Sequence, residues 1–171
     1  MRAVLSIGSN MDDRVALLRT VFDEFAAETV ASSPVYSTPP WGVEDQDEFL
    51  NAVLIVELPK RITPIELLRR GQRLEQDAER VRVRRWGPRT LDVDIVDIEG
   101  FSSATAELTV PHPYAGQRAF VLVPWLAADP AATLGGVPLA DLVAKLDPQE
   151  VAAVRPLGRI EELADAAGRD Q

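Results

Sequence analysis

The segment that restricts the fold most reads RRWGPRTLDVDIVDI, and its second half alternates apolar and acidic residues. Leu91, Val93 and Ile95 form the apolar set, and Asp92 and Asp94 lie between them. Because successive side chains on a β-strand point to opposite faces, the apolar set predicts a buried face, and the two carboxylates share the other face. The sequence therefore predicts a rigid strand that carries two carboxylates side by side.

Two carboxylates on one strand face are typical of a site for a hard divalent cation. Mg²⁺ prefers oxygen ligands and is usually held by one or two carboxylates together with substrate phosphates. Aspartate is depleted in strands, so a pair on one face calls for a reason, although a solvated strand face is the simpler alternative. The preceding stretch carries Trp86 and five arginines, which are Arg80, Arg82, Arg84, Arg85 and Arg89. Together these residues indicate a nucleotide site.

The length and composition of the chain predict one domain in a reducing compartment. With 171 residues, 46% of them hydrophobic, the chain can build one well-buried core but is short for two. It has no cysteine, and no apolar run approaches the roughly 18 residues of a membrane span. We expect a cytoplasmic protein with no membrane partner, whose domain covers residues 1–157. Residues 158–171 are acidic and alanine-rich, and we expect them to form a loose tail.

The charge distribution predicts a small phosphorylated ligand. The net charge of −9 argues against a nucleic-acid partner, because binding to the phosphate backbone requires basic surface. Residues 69–89, however, hold eight arginines and only three acidic residues. A single basic patch on an acidic body suits a compact anion.

Hydrophobic periodicity predicts an α+β fold of the ferredoxin-like, split βαβ type, with an antiparallel sheet, helices packed on it and extra C-terminal helices. The predicted order is strand, helix, strand, strand, helix, strand. The tetrad Thr63-Pro64-Ile65-Glu66 is a capping box with proline at the first helical position, so it predicts the start of the second helix. Asn10 is a candidate cap for the first helix. Asn51 is a polar residue among apolar neighbours on the third strand, and a buried amide needs a hydrogen-bond partner.

Several motifs, in this order and spacing, resemble those of the 6-hydroxymethyl-7,8-dihydropterin pyrophosphokinases of folate biosynthesis. The most specific is RWGPRTLDVDI, and the others are Gly8-Ser9-Asn10, Thr38-Pro39-Pro40, Phe49-Leu50-Asn51-Ala52, Arg80-Val81-Arg82 and Pro111-His112-Pro113 with Arg118 and Phe120. The resemblance covers about residues 4–126. It implies transfer of the β,γ-diphosphate of ATP to the pterin hydroxymethyl oxygen, with release of AMP and with two Mg²⁺ ions.

The resemblance also implies a role for individual residues. Asp92 and Asp94 are the expected metal ligands, and Arg80 and Arg89 are the expected catalytic arginines of a loop that closes over ATP. The residues expected around ATP are Gln72, Glu75, Arg82, Trp86, Ile95, His112 and Arg118. The residues expected around the pterin are Thr38, Pro39, Trp41, Phe49, Asn51, Asp92 and Phe120, with Phe49 and Phe120 stacking on the ring.

Two other functions remain as alternatives. A different Mg²⁺-dependent nucleotidyl or phosphoryl transferase would also use Gly-Ser with paired aspartates, but there the two motifs lie close together, whereas Gly8 and Asp92 are far apart here. A non-catalytic RNA-binding module would explain arginines with an aromatic residue, since bases stack on aromatic rings. It would not explain Asp92 and Asp94, which repel phosphate. We expect a monomer that binds two small-molecule substrates.

Overall fold

The structure is a computed structural model, which describes residues 1–10, 13–39, 48–83 and 91–169, with the backbone alone described at 81–83. These residues form ten strands and six α-helices. The strands are β1 (Arg2–Ser9), β2 (Thr29–Ser32), β3 (Val35–Thr38), β4 (Phe49–Glu57), β5 (Asp92–Ile98), β6 (Ser103–Ala104), β7 (Thr109–Val110), β8 (Thr133–Leu134), β9 (Val137–Pro138) and β10 (Arg155–Gly158). The helices are α1 (Arg14–Glu24), α2 (Pro64–Val83), α3 (Ala119–Ala128), α4 (Leu139–Ala144), α5 (Pro148–Ala153) and α6 (Ile160–Arg169), with a 3₁₀ turn at Ala115–Gln117.

The main sheet has the strand order β10-β3-β4-β1-β5, and every pairing in it is antiparallel. Helix α1 connects β1 to the strands on the far side of β4, and α2 connects β4 to β5 on the far side of β1. Each helix therefore joins two strands that have a third strand between them. This is the split βαβ, ferredoxin-like arrangement that the periodicity predicts.

The second predicted strand is divided in two at Pro34. Both β2 and β3 pair with β4, each with a different half of it. Proline cannot donate to a strand ladder, so the ladder breaks there. Ser33 repairs the break, because its hydroxyl accepts a 2.9 Å hydrogen bond from Val53 N, and its own N–H donates to Val53 O at 2.9 Å.

The hydrophobic core lies on both faces of the sheet. On one face, Phe25 just after α1, Leu67 of α2 and Ile160 of α6 pack against Leu54 and its neighbours on β4. On the other face, α3 and α4 contribute Trp125 and Leu139, which are also fully buried. Strand β4 faces a helical layer on each side, which explains why its sequence is apolar on both faces except at Asn51 and the terminal Glu57.

The two helix starts differ in how well the sequence predicts them. The capping box is confirmed: Thr63 N donates to a Glu66 carboxylate oxygen at 3.1 Å, and Glu66 N donates to Thr63 Oγ1 at 3.2 Å. The prediction that Asn10 caps α1 is wrong. The cap residue is Asp13, which makes no side-chain capping bond, and the helix begins at Arg14.

The predicted loose tail after residue 157 is also wrong for the part of it that the structure describes. Strand β10 pairs with β3, with Arg155 opposite Ser37. Helix α6 follows and packs against α1, with Ile160 only 4% exposed and Leu163 partly buried in the same core. Ile160 and Leu163 lie three residues apart, so one face of an otherwise polar helix reaches the core.

Candidate active site

A cavity of about 750 Å³ opens at one end of the sheet. The strands β1 and β3 end there, and β4 and β5 begin there, so Gly8 lies opposite both Asn51 and Asp92 in the strand register. A cavity of this volume is in the range of small-molecule sites. Its wall contains eight residues that the sequence predicts for the site, which are Thr38, Pro39, Phe49, Asn51, Asp92, Asp94, Arg118 and Phe120.

The two aspartates lie as the alternation predicts. Asp92 and Asp94 both line the cavity and are partly exposed, whereas Val93 and Ile95 are buried in the core on the opposite face of β5. Asp94 pairs with Ser6 of β1, and Asp92 pairs with Gly8. The pairing of β5 with β1 therefore fixes the backbone positions of both aspartates.

Helix α2 supports β5 directly beneath the aspartates. A carboxylate oxygen of Glu75 accepts a 3.2 Å hydrogen bond from Val93 N, the residue between the two aspartates. A Cβ atom on Gly71 would lie 3.1 Å from Cγ1 of Val93, so the absent side chain allows α2 to pack closely on the strand. Glu75 thus has a structural partner in β5, and its contact with ATP stays a prediction.

Asn51 and Thr38 form one polar unit in the cavity wall. The Asn51 amide donates a 2.8 Å hydrogen bond to Thr38 Oγ1, and both residues are buried. A Cβ atom on Gly8 would lie 2.8 Å from Oδ1 of Asn51, which is closer than a carbon and an oxygen can approach. Glycine at position 8 therefore makes room for the amide, in a way that the strand pattern did not predict.

An aromatic and cationic group lies beside this polar unit. Phe49 begins β4, and Phe120 lies in the first turn of α3; both are partly exposed and line the cavity. The Arg118 guanidinium carbon lies 5.6 Å from the centre of the Phe120 ring and 5.4 Å from that of Tyr114. These are cation–π distances, so the two rings flank the cation that faces the cavity.

His112 is held close to this group, although it does not line the cavity. Its backbone N–H donates to Val96 O at 2.8 Å, and its Nδ1 accepts a 3.2 Å hydrogen bond from Tyr114 N. The neutral ring must therefore carry its proton on Nε2, where it can be donated to a ligand. Burial lowers the pKa of His112; the Asp94 carboxylate opposes this, and the Arg118 cation adds to it.

Three other predicted residues lie outside the cavity wall. Arg80 is exposed on α2 and forms a 3.3 Å ion pair with Asp77. Gln72 accepts a 3.0 Å hydrogen bond from Arg69. Ile95 is part of the core, at 6% exposure. The contacts of all three with ATP stay predictions, and so does the contact of His112.

Four more predicted residues fall outside what the structure describes. Trp41, Trp86 and Arg89 belong to undescribed segments, and Arg82 is described only as a backbone position in α2. The arginine-rich segment after α2, and with it the predicted closure over ATP, therefore stays a prediction.

The cavity wall also contains residues that the sequence did not predict for the site. Ser6, Ile7 and Gly8 come from β1, Gln117 ends the 3₁₀ turn, and Ala119 begins α3. Asp147, Gln149, Glu150, Ala153 and Val154 come from the C-terminal part of the chain. A glycine directly after an apolar strand is a signal for close approach and could have identified Gly8. No local pattern marks residues 147–154, because only the tertiary fold brings them to the site.

The donor set at the aspartates fits a magnesium ion that substrate helps to bind. No group of three or more Asp, Glu, His or Cys side chains suited to a metal occurs within the described residues. Two carboxylates are enough for Mg²⁺ when phosphate oxygens and water complete its coordination. Asp92 and Asp94 are the residues that would hold it.

Among the described helices, none has the length and apolar character needed to cross a membrane.

A family model described as "7,8-dihydro-6-hydroxymethylpterin-pyrophosphokinase (HPPK)" matches residues 4–130. The chain is also similar to proteins named 2-amino-4-hydroxy-6-hydroxymethyldihydropteridine pyrophosphokinase. The relative from Mycobacterium tuberculosis is 47% identical over 167 residues, which cover 90% of this chain and 88% of the relative. The relative from Methylorubrum extorquens is 41% identical over 157 residues, and 90% of this chain and 98% of the relative are covered.

Solved structures support the fold. The chain superimposes on a crystal structure of Plasmodium falciparum HPPK-DHPS with a TM-score of 0.61 and 13% sequence identity. The match covers 84% of this chain and 41% of that protein, so the chain spans less than half of it. At this identity the likeness shows the fold alone.

The family match and the named relatives favour the pyrophosphokinase interpretation over the nucleotidyltransferase and RNA-binding alternatives. The matched range, residues 4–130, contains all eight predicted residues that line the cavity. By sequence and by fold, the chain belongs to the 7,8-dihydro-6-hydroxymethylpterin-pyrophosphokinase family.

Proposed function

We propose that this protein transfers the β,γ-diphosphate of ATP to the hydroxymethyl oxygen of 6-hydroxymethyl-7,8-dihydropterin and releases AMP, a step in folate biosynthesis. One observation carries the proposal: a single cavity joins a paired-carboxylate strand to a slot with two phenylalanines and a buried amide. The first feature suits a metal-bound triphosphate, and the second suits a flat heterocycle with polar edges. Family membership supports the same reaction.

At the heterocycle end, the proposed roles follow from shape and hydrogen bonding. Phe49 and Phe120 supply flat apolar faces on which the pterin ring stacks. The Asn51 amide uses one N–H on Thr38, so its second N–H and its carbonyl oxygen remain for the ring edge. Pro39 and Trp41 complete this end of the site in the proposal.

At the phosphate end, cationic and neutral donors face the triphosphate. Arg118 faces the cavity, and His112 can donate from Nε2. Arg80 and Arg82 near the end of α2, and Arg89 in the segment that follows, are proposed to reach the phosphates. Guanidinium groups match phosphate oxygens in pairs. Gln72, Glu75, Trp86 and Ile95 are proposed to contact ATP.

Asp92 and Asp94 would hold two Mg²⁺ ions in the proposal, and bound magnesium would neutralise the phosphate charge and align the triphosphate. In the transfer, the substrate hydroxyl oxygen bonds to the β-phosphorus while the bond from that phosphorus to the α,β-bridging oxygen breaks. The bridging oxygen leaves on AMP, and the hydroxyl proton is released. Asp92, close to the hydroxymethyl group in this arrangement, accepts a hydrogen bond from the hydroxyl and orients it.

We propose further that the protein acts as a monomer in the cytoplasm, without a nucleic-acid or membrane partner. Its substrates are small and soluble, and the net charge of −9 disfavours binding to polyanions. The domain is proposed to be single and to continue through α6, since Ile160 belongs to the same core as β1 and β4.

The choice of acceptor tests the proposal. We expect ATP to be consumed with 6-hydroxymethyl-7,8-dihydropterin and a diphosphate ester of the pterin to form. The matched control is 6-methyl-7,8-dihydropterin, which keeps the ring but lacks the hydroxyl; it should bind as an inhibitor and leave ATP intact. Equal ATP consumption with both compounds would show that the hydroxyl is not the acceptor.

A further inference from the structure

The C-terminal part of the chain forms a wall of the cavity. Ala153 and Val154, at the end of α5, line the same space as Phe49, Asn51 and Phe120. The family match ends at residue 130, so Ala153 and Val154 lie beyond the matched part of the chain. The wall is therefore a feature whose role the family match leaves unassigned.

The packing of Val154 places the wall at the heterocycle end of the cavity. Val154 is 8% exposed and belongs to a small apolar cluster with Tyr36 and Ala119. Tyr36 is on β3, two residues before Thr38, and Phe120 packs against the same cluster. Thr38 and Phe120 belong to the proposed pterin subsite, so the end of α5 meets the cavity at that subsite.

Two sets of contacts fix the position of this wall. Strand β10, which follows directly after Val154, pairs with β3 with Arg155 opposite Ser37. Arg155 also forms a 3.1 Å ion pair with Glu48, and the Ser37 hydroxyl donates to the same carboxylate. Glu48 immediately precedes Phe49, so the wall is tied to the strand that carries one of the two stacking residues.

We propose that α5 is a wall of the ring-binding subsite and that Ala153 sets the size of the heterocycle that fits. The proposal rests on the proposed function and names a further specificity-determining residue for it. A methyl side chain at this position leaves space for a flat bicyclic ring, and a longer side chain would occupy that space. The neighbouring residue Ala152 is exposed and does not line the cavity, so it provides a matched control on the same short helix.

The absence of cysteine from the chain permits a direct test of where α5 lies. Ala153→Cys and Ala152→Cys each introduce a unique thiol, whose rate of alkylation by N-ethylmaleimide reports its accessibility. We expect saturating 6-hydroxymethyl-7,8-dihydropterin to slow alkylation at position 153 by roughly fivefold or more, because a bound ligand covers the site in proportion to its occupancy. Alkylation at position 152 should not change.

A size test uses Ala153→Leu and Ala152→Leu, since leucine is a good helix former and adds the same bulk at each position. We expect Ala153→Leu to raise the KM for the dihydropterin by roughly tenfold with little change in the KM for ATP, because the added bulk fills ligand space. Ala152→Leu should leave both KM values unchanged. If Ala153→Leu does not fold, the thiol experiment decides alone.

Two outcomes overturn the proposal. The first is an alkylation rate at position 153 that bound pterin does not change. The second is slower alkylation at position 153 with ATP alone, which would place α5 at the nucleotide end. Failure of the proposed function gives a different pattern. If the wild-type chain binds the pterin without making AMP, the proposed reaction is wrong; the position proposed for α5 is still supported if the pterin slows alkylation at position 153. Full turnover together with an unprotected thiol at position 153 contradicts only the position proposed for α5.

Discussion

The side-chain amide of Asn51 donates a 2.8 Å hydrogen bond to the hydroxyl of Thr38 across two neighbouring strands. Both residues are buried, at 5% and 8% exposure, and both line the cavity. One bond thus fixes the rotation of an amide that still has a donor and an acceptor to offer. The fold therefore holds this polar side chain in one orientation at the cavity, which is what preorganisation for a ligand requires.

The first prediction concerns this amide. Asn51→Ala removes its hydrogen bonds to the ring edge, so the affinity for 6-hydroxymethyl-7,8-dihydropterin should fall by roughly tenfold, or about 1.4 kcal/mol. Binding of a non-hydrolysable ATP analogue should be nearly unchanged. Isothermal titration calorimetry with each ligand separates the two effects.

Ser33→Ala provides the control, because Ser33 also hydrogen-bonds to β4, the strand that carries Asn51. Ser33 is 1% exposed, and its hydroxyl accepts from Val53 N away from the cavity. Its loss leaves a buried N–H without that partner, so the melting temperature should fall while pterin affinity is retained. If Asn51→Ala behaves like Ser33→Ala, with a lower melting temperature and normal pterin binding, Asn51 is a scaffold residue.

The second prediction uses the close approach of Gly8 to Asn51. In Gly8→Ala the new Cβ would meet Oδ1 of Asn51 at 2.8 Å, so the amide must turn away. Pterin affinity should fall about as far as in Asn51→Ala, and the double variant should be little worse than either single one, because both act through one group. Isothermal titration calorimetry of pterin binding to the two single variants and the double variant gives the coupling free energy between positions 8 and 51.

Gly116→Ala is the matched control for that cycle, since its Cβ would lie at an ordinary 3.7 Å from Leu134. We expect normal pterin binding from it. Additive losses in the Gly8→Ala and Asn51→Ala cycle would mean that Gly8 acts on the ligand independently of the amide.

The third prediction concerns His112, the single histidine of the chain. Burial lowers its pKa, so proton NMR of the metal-free protein should give a midpoint below the ordinary value of 6.5. Because the unfolded state binds this proton more readily, the histidine contributes a loss of stability as the pH falls below 6.5 toward its folded pKa.

The charges around His112 predict opposite shifts in two variants. Asp94→Asn removes a carboxylate that raises the pKa of His112, so the midpoint should fall further. Arg118→Ala removes a cation that lowers the pKa of His112, so the midpoint should rise. Shifts in the reverse directions would contradict the placement of His112 between these two charges.

The fourth prediction concerns the metal site. Asp92→Asn and Asp94→Asn keep the size of each side chain but remove a charged oxygen ligand, so turnover should fall by orders of magnitude with the circular dichroism spectrum intact. Asp97→Asn, on the same strand but outside the cavity wall, is the control and should keep its activity. Near-normal turnover of either Asp92→Asn or Asp94→Asn at ordinary Mg²⁺ concentration would contradict the proposal that this residue is a magnesium ligand.

Local patterns in the sequence predicted much of the fold and part of the site. The alternation around Asp92 and Asp94 predicted which side chains face the core, and the capping box at Thr63 predicted the start of α2. Both depend on residues within a few positions of each other. The role of Asn51 as a site residue followed from one polar side chain in an apolar strand, and its place in the cavity wall agrees with that expectation.

The features that the sequence did not predict depend on contacts between distant residues. The pairing of Arg155 with Ser37 joins residues more than a hundred positions apart, and no local pattern marks it. The same holds for Ala153 in the cavity wall. The sequence did not predict the C-terminal helix because its apolar face is short, with Ile160 as its one buried residue. Helix α6 is stabilised by packing on α1 and not by its own composition.

The identity of the nucleotide product shows whether the protein transfers a diphosphate. The purified protein is incubated with Mg²⁺, ATP and 6-hydroxymethyl-7,8-dihydropterin, and the nucleotides are separated and quantified. We expect AMP in equal amount to the diphosphorylated pterin, and we expect Asp92→Asn to form no AMP. Formation of ADP in place of AMP would show transfer of a single phosphoryl group and contradict the proposed diphosphate transfer.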